Sequence, residues 1–443
     1  MSILLGFLRR SSSGSNGVLP FTRSVVQKDR GTIIVLSAYG LGNAITGIMP
    51  MIVEPLRRYS ADICLVDLNA PGWQADFEKA IANPVWFVAS YFGVGQDLYP
   101  VEHNGVKYNF WEYFGIPFIR FYGDIPAYFP DRHATASGNV ANVYFDPDHE
   151  AFFKNYFPGR GASVWLPPIP NGGVLKKSVD VSKKLRGKIV FPKNGGSPDE
   201  LIDFWRRSLP RMICKVIEDV SDECVSLRKV DSRIRIDEEF LNYFSSYGLG
   251  VDKFASVLSF MVAQVDDYLR RVKSTLVVKA LLDLPVVVNG VGWDHVNFSG
   301  RCASYDPDCD FFSTEKKMPG YLAVIDSPPN TNYLVHDRIS RAVGERTAFI
   351  TARHLLLEER MMGFDEAFYS YTPDSVVQVV SRFVDDPTWA VDFGLAQSEK
   401  FFSAFPFSDY ADKLLMLVDV VKLNSGGRPE GTQFNVSFPS RCF

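Results

Sequence analysis

Long apolar runs are missing from this chain of 443 residues, and no stretch approaches the ~20 residues that a membrane-spanning helix needs. Long basic blocks are missing too. With a net charge of −4, nucleic acid is not an expected partner. The six cysteines, Cys64, Cys214, Cys224, Cys302, Cys309 and Cys442, form no CxxC pair. Neither a zinc site nor a disulfide framework is indicated, and a reducing, cytoplasmic setting is expected. No GxSxG, Walker loop or HExxH occurs, which removes most support for hydrolase and kinase chemistry. No DxD follows a core strand: "DPDCD" (306–310) and "FDPDHE" (145–150) read as turns. No cluster of metal ligands and no internal repeat stands out, so no metal or cofactor is expected.

What is present is the material for large cores, 46% hydrophobic against 22% charged residues. From Thr32 onward short apolar runs alternate with helical stretches. "IIVLS" (33–37), "DICLVD" (62–67), "VWFVAS" (85–90), "PFIRFY" (117–122), "ANVYFD" (141–146) and "ASVWL" (162–166) read as strands. Residues 171–187, rich in Pro, Gly and Lys, read as a linker. "KIVFP" (188–192) opens a second alternating unit, interrupted by a helical region at 199–283 and resumed by "PVVVN" (285–289), "YLAVI" (321–325) and "TAFIT" (347–351). Helices follow near 332–343, 374–384, 388–402 and 408–423.

Strand alternating with helix implies parallel sheets covered on both faces. The expected fold is α/β, two doubly wound Rossmann-like domains facing across a cleft, with a helical insertion in the second. The divisions are a flexible tail at 1–28, an N-terminal domain at 29–170, the linker, a C-terminal domain at 188–405, and a last helix and tail at 406–443. Ile3 to Leu8 could touch a membrane surface, though a disordered start fits the Ser/Gly-rich residues behind it better.

Ligands of such folds bind beyond the carboxyl ends of the strands, so the loops there are the candidates. "YGLGN" (39–43) offers Gly40, Gly42 and Asn43 as a cleft-facing turn. It is not a dinucleotide fingerprint, because the third glycine would have to stand at Ile45. "YGDIPAYFPDRH" (122–133) places Asp124 just after a strand, as a candidate general base or a turn cap, with His133 extending the polar group. Lys193, Asn194 and Gly195 in "PKNGGSP" and Gly292 and Trp293 in "NGVGWD" can form an anion nest, with Trp293 stacking on a base or packing in the core.

In "SPPNTNYLVHDRISRAVGE" (327–345), Thr331 and Asn332 stand at the expected start of a helix that carries His336 and Arg338. Free amides at such a start are receptive to phosphate. Arg338, beside the apolar stripe, needs an anionic partner, either a phosphate or an internal acid.

Two segments carry a family resemblance. "FWEYFGIPFIRFYGDIP" (110–126) and "VHDRISRAVGERTAFIT" (335–351), supported by "GVGW" and "YLAVIDSPPN", resemble GT-B glycosyltransferases, in particular the CgeB-like, spore-maturation-type bacterial group. The likeness spans roughly residues 30–170 and 285–420. It implies a nucleotide-sugar donor on the C-terminal domain and metal-independent transfer in the cleft to an acceptor that is a glycan, a lipid-linked glycan, a protein or a small molecule. In that scheme Arg338 meets the donor diphosphate, Thr331 and Asn332 add contacts, Gly292 and Trp293 line the nucleotide, and Asp124 faces the acceptor. Many members carry a glutamate where this chain has Arg341. A sugar-nucleotide epimerase and a non-catalytic partner protein on the same architecture are the alternatives.

Overall fold

A computed structural model of the chain describes residues 30–39, 44–59, 62–99, 101–103, 105–135, 138–166, 178–228, 234–248 and 255–424. The run Ile3–Leu8, the loop residues Gly40, Gly42 and Asn43, the first half of the expected linker and the C-terminal tail lie outside them.

The apolar runs become parallel strands. The N-terminal domain holds β1 (Thr32–Ser37), β2 (Ile63–Asp67), β3 (Val85–Tyr91), a small antiparallel hairpin of β4 (Val101–His103) and β5 (Val106–Tyr108), then β6 (Phe118–Tyr122), β7 (Val140–Tyr144) and β8 (Ala162–Trp165). Its six-stranded sheet runs β2-β1-β3-β6-β7-β8. Both faces are covered, which explains why the runs do not alternate with polar residues. Ile119 and Phe121 of β6 enter one core with Ile33, Val35 and Val143, while Phe118 enters the opposite one with Ile34, Leu36 and Val88.

The C-terminal domain holds β9 (Ile189–Pro192), β10 (Val286–Asn289), β11 (Ser304–Asp306), β12 (Ala323–Asp326), β13 (Ala348–Ala352) and β14 (Phe368–Tyr369), all parallel, in the order β11-β10-β9-β12-β13-β14. Counted within the domain this is 3-2-1-4-5-6, and the winding reverses between β9 and β12. Ligand crevices of open α/β sheets form at such a reversal. The short edge strands β11 and β14 and the hairpin were not expected from the sequence. The stretch read as linker ends in a helix, Val181–Leu185, capped by Asp180. "FDPDHE", read as a turn, instead starts the helix Pro147–Tyr156, with the Asp146 carboxylate accepting from the Asp148 amide.

The region between β9 and β10 is helical: Pro198–Ser208, Arg211–Arg228, Ile236–Ser246 and the 27-residue Ala255–Leu281. These helices cover the N-terminal domain. Leu201, Trp205, Ile217, Phe240 and Leu258 share a core with Tyr122, Tyr144 and Phe152. The last of them joins both halves of the molecule. Val262, Val265 and Leu269 lie in that core, whereas Val277, Val278 and Leu281 lie beneath the C-terminal sheet with Phe191 and Val288. Its middle, "DDYLRRVK" (266–273), crosses between the domains and is polar for that reason. A second crossing is made by Phe407–Asn424, whose Tyr410, Leu414 and Val418 pack on the N-terminal sheet, with the Tyr410 hydroxyl donating to the Ile52 carbonyl at 3.1 Å. No helix among the described residues is long and apolar enough to cross a membrane.

Candidate active site between the two sheets

The reversal between β9 and β12 is occupied by charge. Lys193 follows β9, and its Nζ donates to the carbonyl of Ser327, just past β12, at 2.8 Å. Burial, then the nearby Arg338 guanidinium, pull the Lys193 ammonium down to about 7. Asp326 ends β12 with no solvent exposure. It accepts from Arg338 Nη1 and from Thr351 Oγ1, and His336 Nδ1 lies 3.5 Å away. Arg338 therefore has an internal acid as one partner, the simpler of the two expectations, while 12% of its side chain stays open to solvent.

The helix carrying Arg338 starts later than the sequence suggested. It spans Asp337–Gly344, with His336 as its cap. Thr331 and Asn332 are buried ahead of it and serve another purpose. The Asp146 carboxylate accepts from the Asn332 and Tyr333 amides at 3.2 and 2.9 Å, and the Asn332 side chain donates to Asp148 at 2.8 Å. Asn332 and Tyr333 tie the C-terminal domain to the N-terminal one, while Thr331 donates back to the Pro329 carbonyl, and the Asn332 amide is spoken for. Arg341 is also tied: Nε and Nη2 donate to Asp337 at 3.1 and 2.8 Å, and its guanidinium lies 4.3 Å from the Phe311 ring centre. Burial acts to raise the Asp337 carboxyl, but His336 and Arg341 outweigh it and hold it well below the usual range.

The expected nest is closed on itself. The Gly195 amide donates to the Val291 carbonyl at 2.8 Å, and the Val291 amide donates to Asn194 Oδ1 at 3.2 Å. Gly292 sits in the left-handed region at φ 86°, its backbone against Gly195. Trp293 is fully buried between Phe191 and His295, with Nε1 donating to the Lys193 carbonyl at 2.8 Å. Of its two expected roles, core packing is the one observed.

Across the cleft, Asp124 stands two residues past β6, 30% exposed, and accepts from Arg270 Nη1 at 2.7 Å. Arg270 comes from the crossing helix and also meets Asp266 at 2.6 Å. Asp266 in turn accepts from Tyr128 at 2.8 Å and from the Asn330 side chain at 2.9 Å. One turn further, Lys273 donates to Asn330 Oδ1 at 2.9 Å. Tyr91 marks how near the two halves come. Burial raises its phenol well above the ordinary value, and Asp124 from one domain and Asp337 from the other push it further.

His133 is not in the cleft. Its ring packs on Tyr122, Phe153 and Phe157, and Tyr144 hydrogen-bonds Nδ1 at 3.3 Å. Burial drives its pKa to about 2, so it is a neutral core residue. Gly40, Gly42 and Asn43 lie outside the described residues.

The cleft thus brings together Lys193, His336 and Arg338 opposite Asp124, and adds Arg270, Lys273, Asp266 and Asp326, which sequence reasoning missed. Asp326 carried a readable signal, a carboxylate ending a buried strand as in Asp124. No group of three or more His, Cys, Asp or Glu that could hold a metal occurs among the described residues. A cavity of about 280 Å³ lined by Ile189, Val286 and Leu322 lies at the amino ends of the C-terminal strands, opposite to this chemistry.

No protein-family model matches the chain, and no curated protein matches it. Solved structures resemble its course. Sucrose-phosphate synthase from Thermosynechococcus elongatus aligns over 88% of this chain and 98% of its own at 10% identity and TM-score 0.44. Anabaena HepE, solved with UDP and glucose, covers 88% and 99% at 9% identity and TM-score 0.47. The BGT enzyme of phage T4, solved with its UDP-glucose substrate, covers 88% and 99% at 7% identity and TM-score 0.47. Likeness this distant carries no weight for the chemistry.

Proposed function

We propose that this protein is a GT-B glycosyltransferase of the CgeB-like kind, moving a sugar from a nucleotide-activated donor to an acceptor hydroxyl in the cleft, without a bound metal. The observation that carries the proposal is the pairing of Lys193 and Arg338 at the reversal of a 3-2-1-4-5-6 sheet with a solvent-reachable carboxylate, Asp124, on the facing domain. Departure of a nucleoside diphosphate builds negative charge on the leaving group. Preorganised cations in a water-poor crevice stabilise that charge, and they can do so in place of a metal. Asp124 accepts the proton of the attacking acceptor hydroxyl, which makes the transfer inverting. An epimerase would bind the same nucleotide sugar but need no acceptor. The acceptor is a glycan, a lipid-linked glycan, a protein or a small molecule, and the setting is the cytoplasm.

The test is a thermal-shift screen against UDP, GDP, dTDP, CMP and their sugars, with NAD as control. A ligand at about a hundred times its Kd adds about 2.7 kcal/mol, a readable shift. With a donor found, Asp124→Ala is expected to retain donor binding and lose transfer by about 100-fold or more. Full transfer by that variant removes Asp124 as the base. No shift with any nucleotide removes the donor site and leaves the non-catalytic partner.

A further inference from the structure

Arg270 has no role in the scheme above, yet it sits at the centre of the cleft. Its backbone cannot retreat, because the helix that carries it is buried at one end in the N-terminal core and at the other beneath the C-terminal sheet. Its guanidinium touches two carboxylates that differ in kind. Asp266 is only 4% exposed and is fixed by Tyr128 and Asn330 as well. Asp124 is 30% exposed, and no other hydrogen bond to its carboxylate is seen among the described residues. Asp266 therefore anchors the guanidinium, and the bond to Asp124 is the one that can exchange. Nη2 is buried and, like Nε, has no hydrogen-bond partner among the described residues, although Nε lies 2.6 Å from Asp266. Arg338 and Arg270 lower the Lys193 pKa while Asp326 and Asp266 raise it, so cations and carboxylates alternate through this crevice and an arriving anion has several cations within reach.

We propose that Arg270 is a third anion-binding cation of this cleft, held in reserve by Asp124 and passed to the donor diphosphate when the donor binds. This rests on the donor reading given above. A diphosphate lying against Lys193 and Arg338 offers Arg270 more charge than a single partly exposed carboxylate, which is a weak partner. Once Arg270 turns to the phosphates, Asp124 loses its counter-ion and faces the acceptor side free. The base is thus released only in the donor complex, and binding is ordered with donor first.

The experiment is isothermal titration of the full chain with UDP, and separately with inorganic pyrophosphate, at low salt. Asp124→Asn removes the competitor and is expected to tighten binding by about 2- to 5-fold, the range set by a partly exposed pair. Arg270→Met is expected to weaken binding by about 10-fold, and Arg270→Lys by less, because lysine offers one point of charge instead of a fork. In the double variant Asp124→Asn/Arg270→Met the tightening disappears. A merely structural role for the pair predicts no tightening at all. Tightening that persists in the double variant means that Asp124 simply repelled the anion, and the proposal falls. Unchanged affinity in Asp124→Asn overturns it equally, and this variant needs no stable Arg270→Met protein. Binding of neither UDP nor pyrophosphate to the unaltered protein removes the donor reading itself.

Discussion

Asp326 is the acid on which the C-terminal half of the site depends, and its removal has a calculable cost. Its carboxylate is wholly buried, accepts from Arg338 and Thr351, and lies beside His336. Asp326→Ala leaves the Arg338 guanidinium, 12% exposed and near the Lys193 ammonium, without its counter-charge. Breaking a buried pair by deleting one member costs about 3–5 kcal/mol. The slight opening of Arg338 to solvent points to the lower end, about 3 kcal/mol, or roughly 150-fold in the folding equilibrium. With a urea slope of about 3 kcal/mol/M, the midpoint of the first unfolding transition falls by about 1 M. The companion variant Asp326→Ala/Arg338→Met removes the orphaned charge as well and is expected to recover most of the loss, since apolar replacement of a whole buried pair is often neutral. A loss under about 1 kcal/mol for the single variant, or no recovery in the double, would refute the view that Asp326 and Arg338 form a desolvated pair.

Lys193 titrates at about 7 against an ordinary 10.5. Between those values the unfolded chain holds a proton that the folded chain has lost, so the contribution of Lys193 to stability rises with pH across that window. An anion favours the protonated form. UDP affinity should therefore fall from about pH 6 to about pH 8.5, with proton uptake visible by calorimetry in two buffers, and Lys193→Met should flatten the profile. Arg341→Glu sets a second acid against Asp337, four residues back, and removes the cation over Phe311. A loss of about 3 kcal/mol is expected in urea melts, and a neutral effect would mean the Arg341–Asp337 pair does not matter to the fold. Trp293→Ala should cost about 3–5 kcal/mol as a core cavity, whereas Trp293→Phe should leave UDP affinity within about 2-fold. Abolished binding in Trp293→Phe would restore the base-stacking role.

The sheets were legible in the sequence because strands buried on both faces leave unbroken apolar runs, as β1 and β12 do with every residue buried. β11 and β14, of three and two residues, are too short to leave such a mark. In the cleft, Lys193, Asp124 and Arg338 were legible from their places after strands or on a helix. Arg270 was not, since its bond to Asp124 spans 146 residues of chain. Asn332 misleads because a polar run after a proline pair looks the same whether it caps a helix or meets acids from another domain, and Thr331 beside it turns back to the Pro329 carbonyl. His133 misleads because Asp131 and Arg132 beside it are polar, while one turn of helix aims its own ring inward.

The helix Ala255–Leu281, about 40 Å of rigid rod, has a consequence for anyone who would take this molecule apart. A fragment ending at the linker, such as residues 30–166, keeps the N-terminal sheet but loses the helices over Tyr122, Tyr144 and Phe152 and the C-terminal helix over Ile33 and Val143. It would present two bare aromatic and aliphatic surfaces and aggregate instead of folding. The two domains therefore have to be expressed together, with the helices that join them. In evolutionary terms, neither half of this protein is a portable module that could be traded for another by recombination at the linker. A change of acceptor or donor has to come by substitution in place.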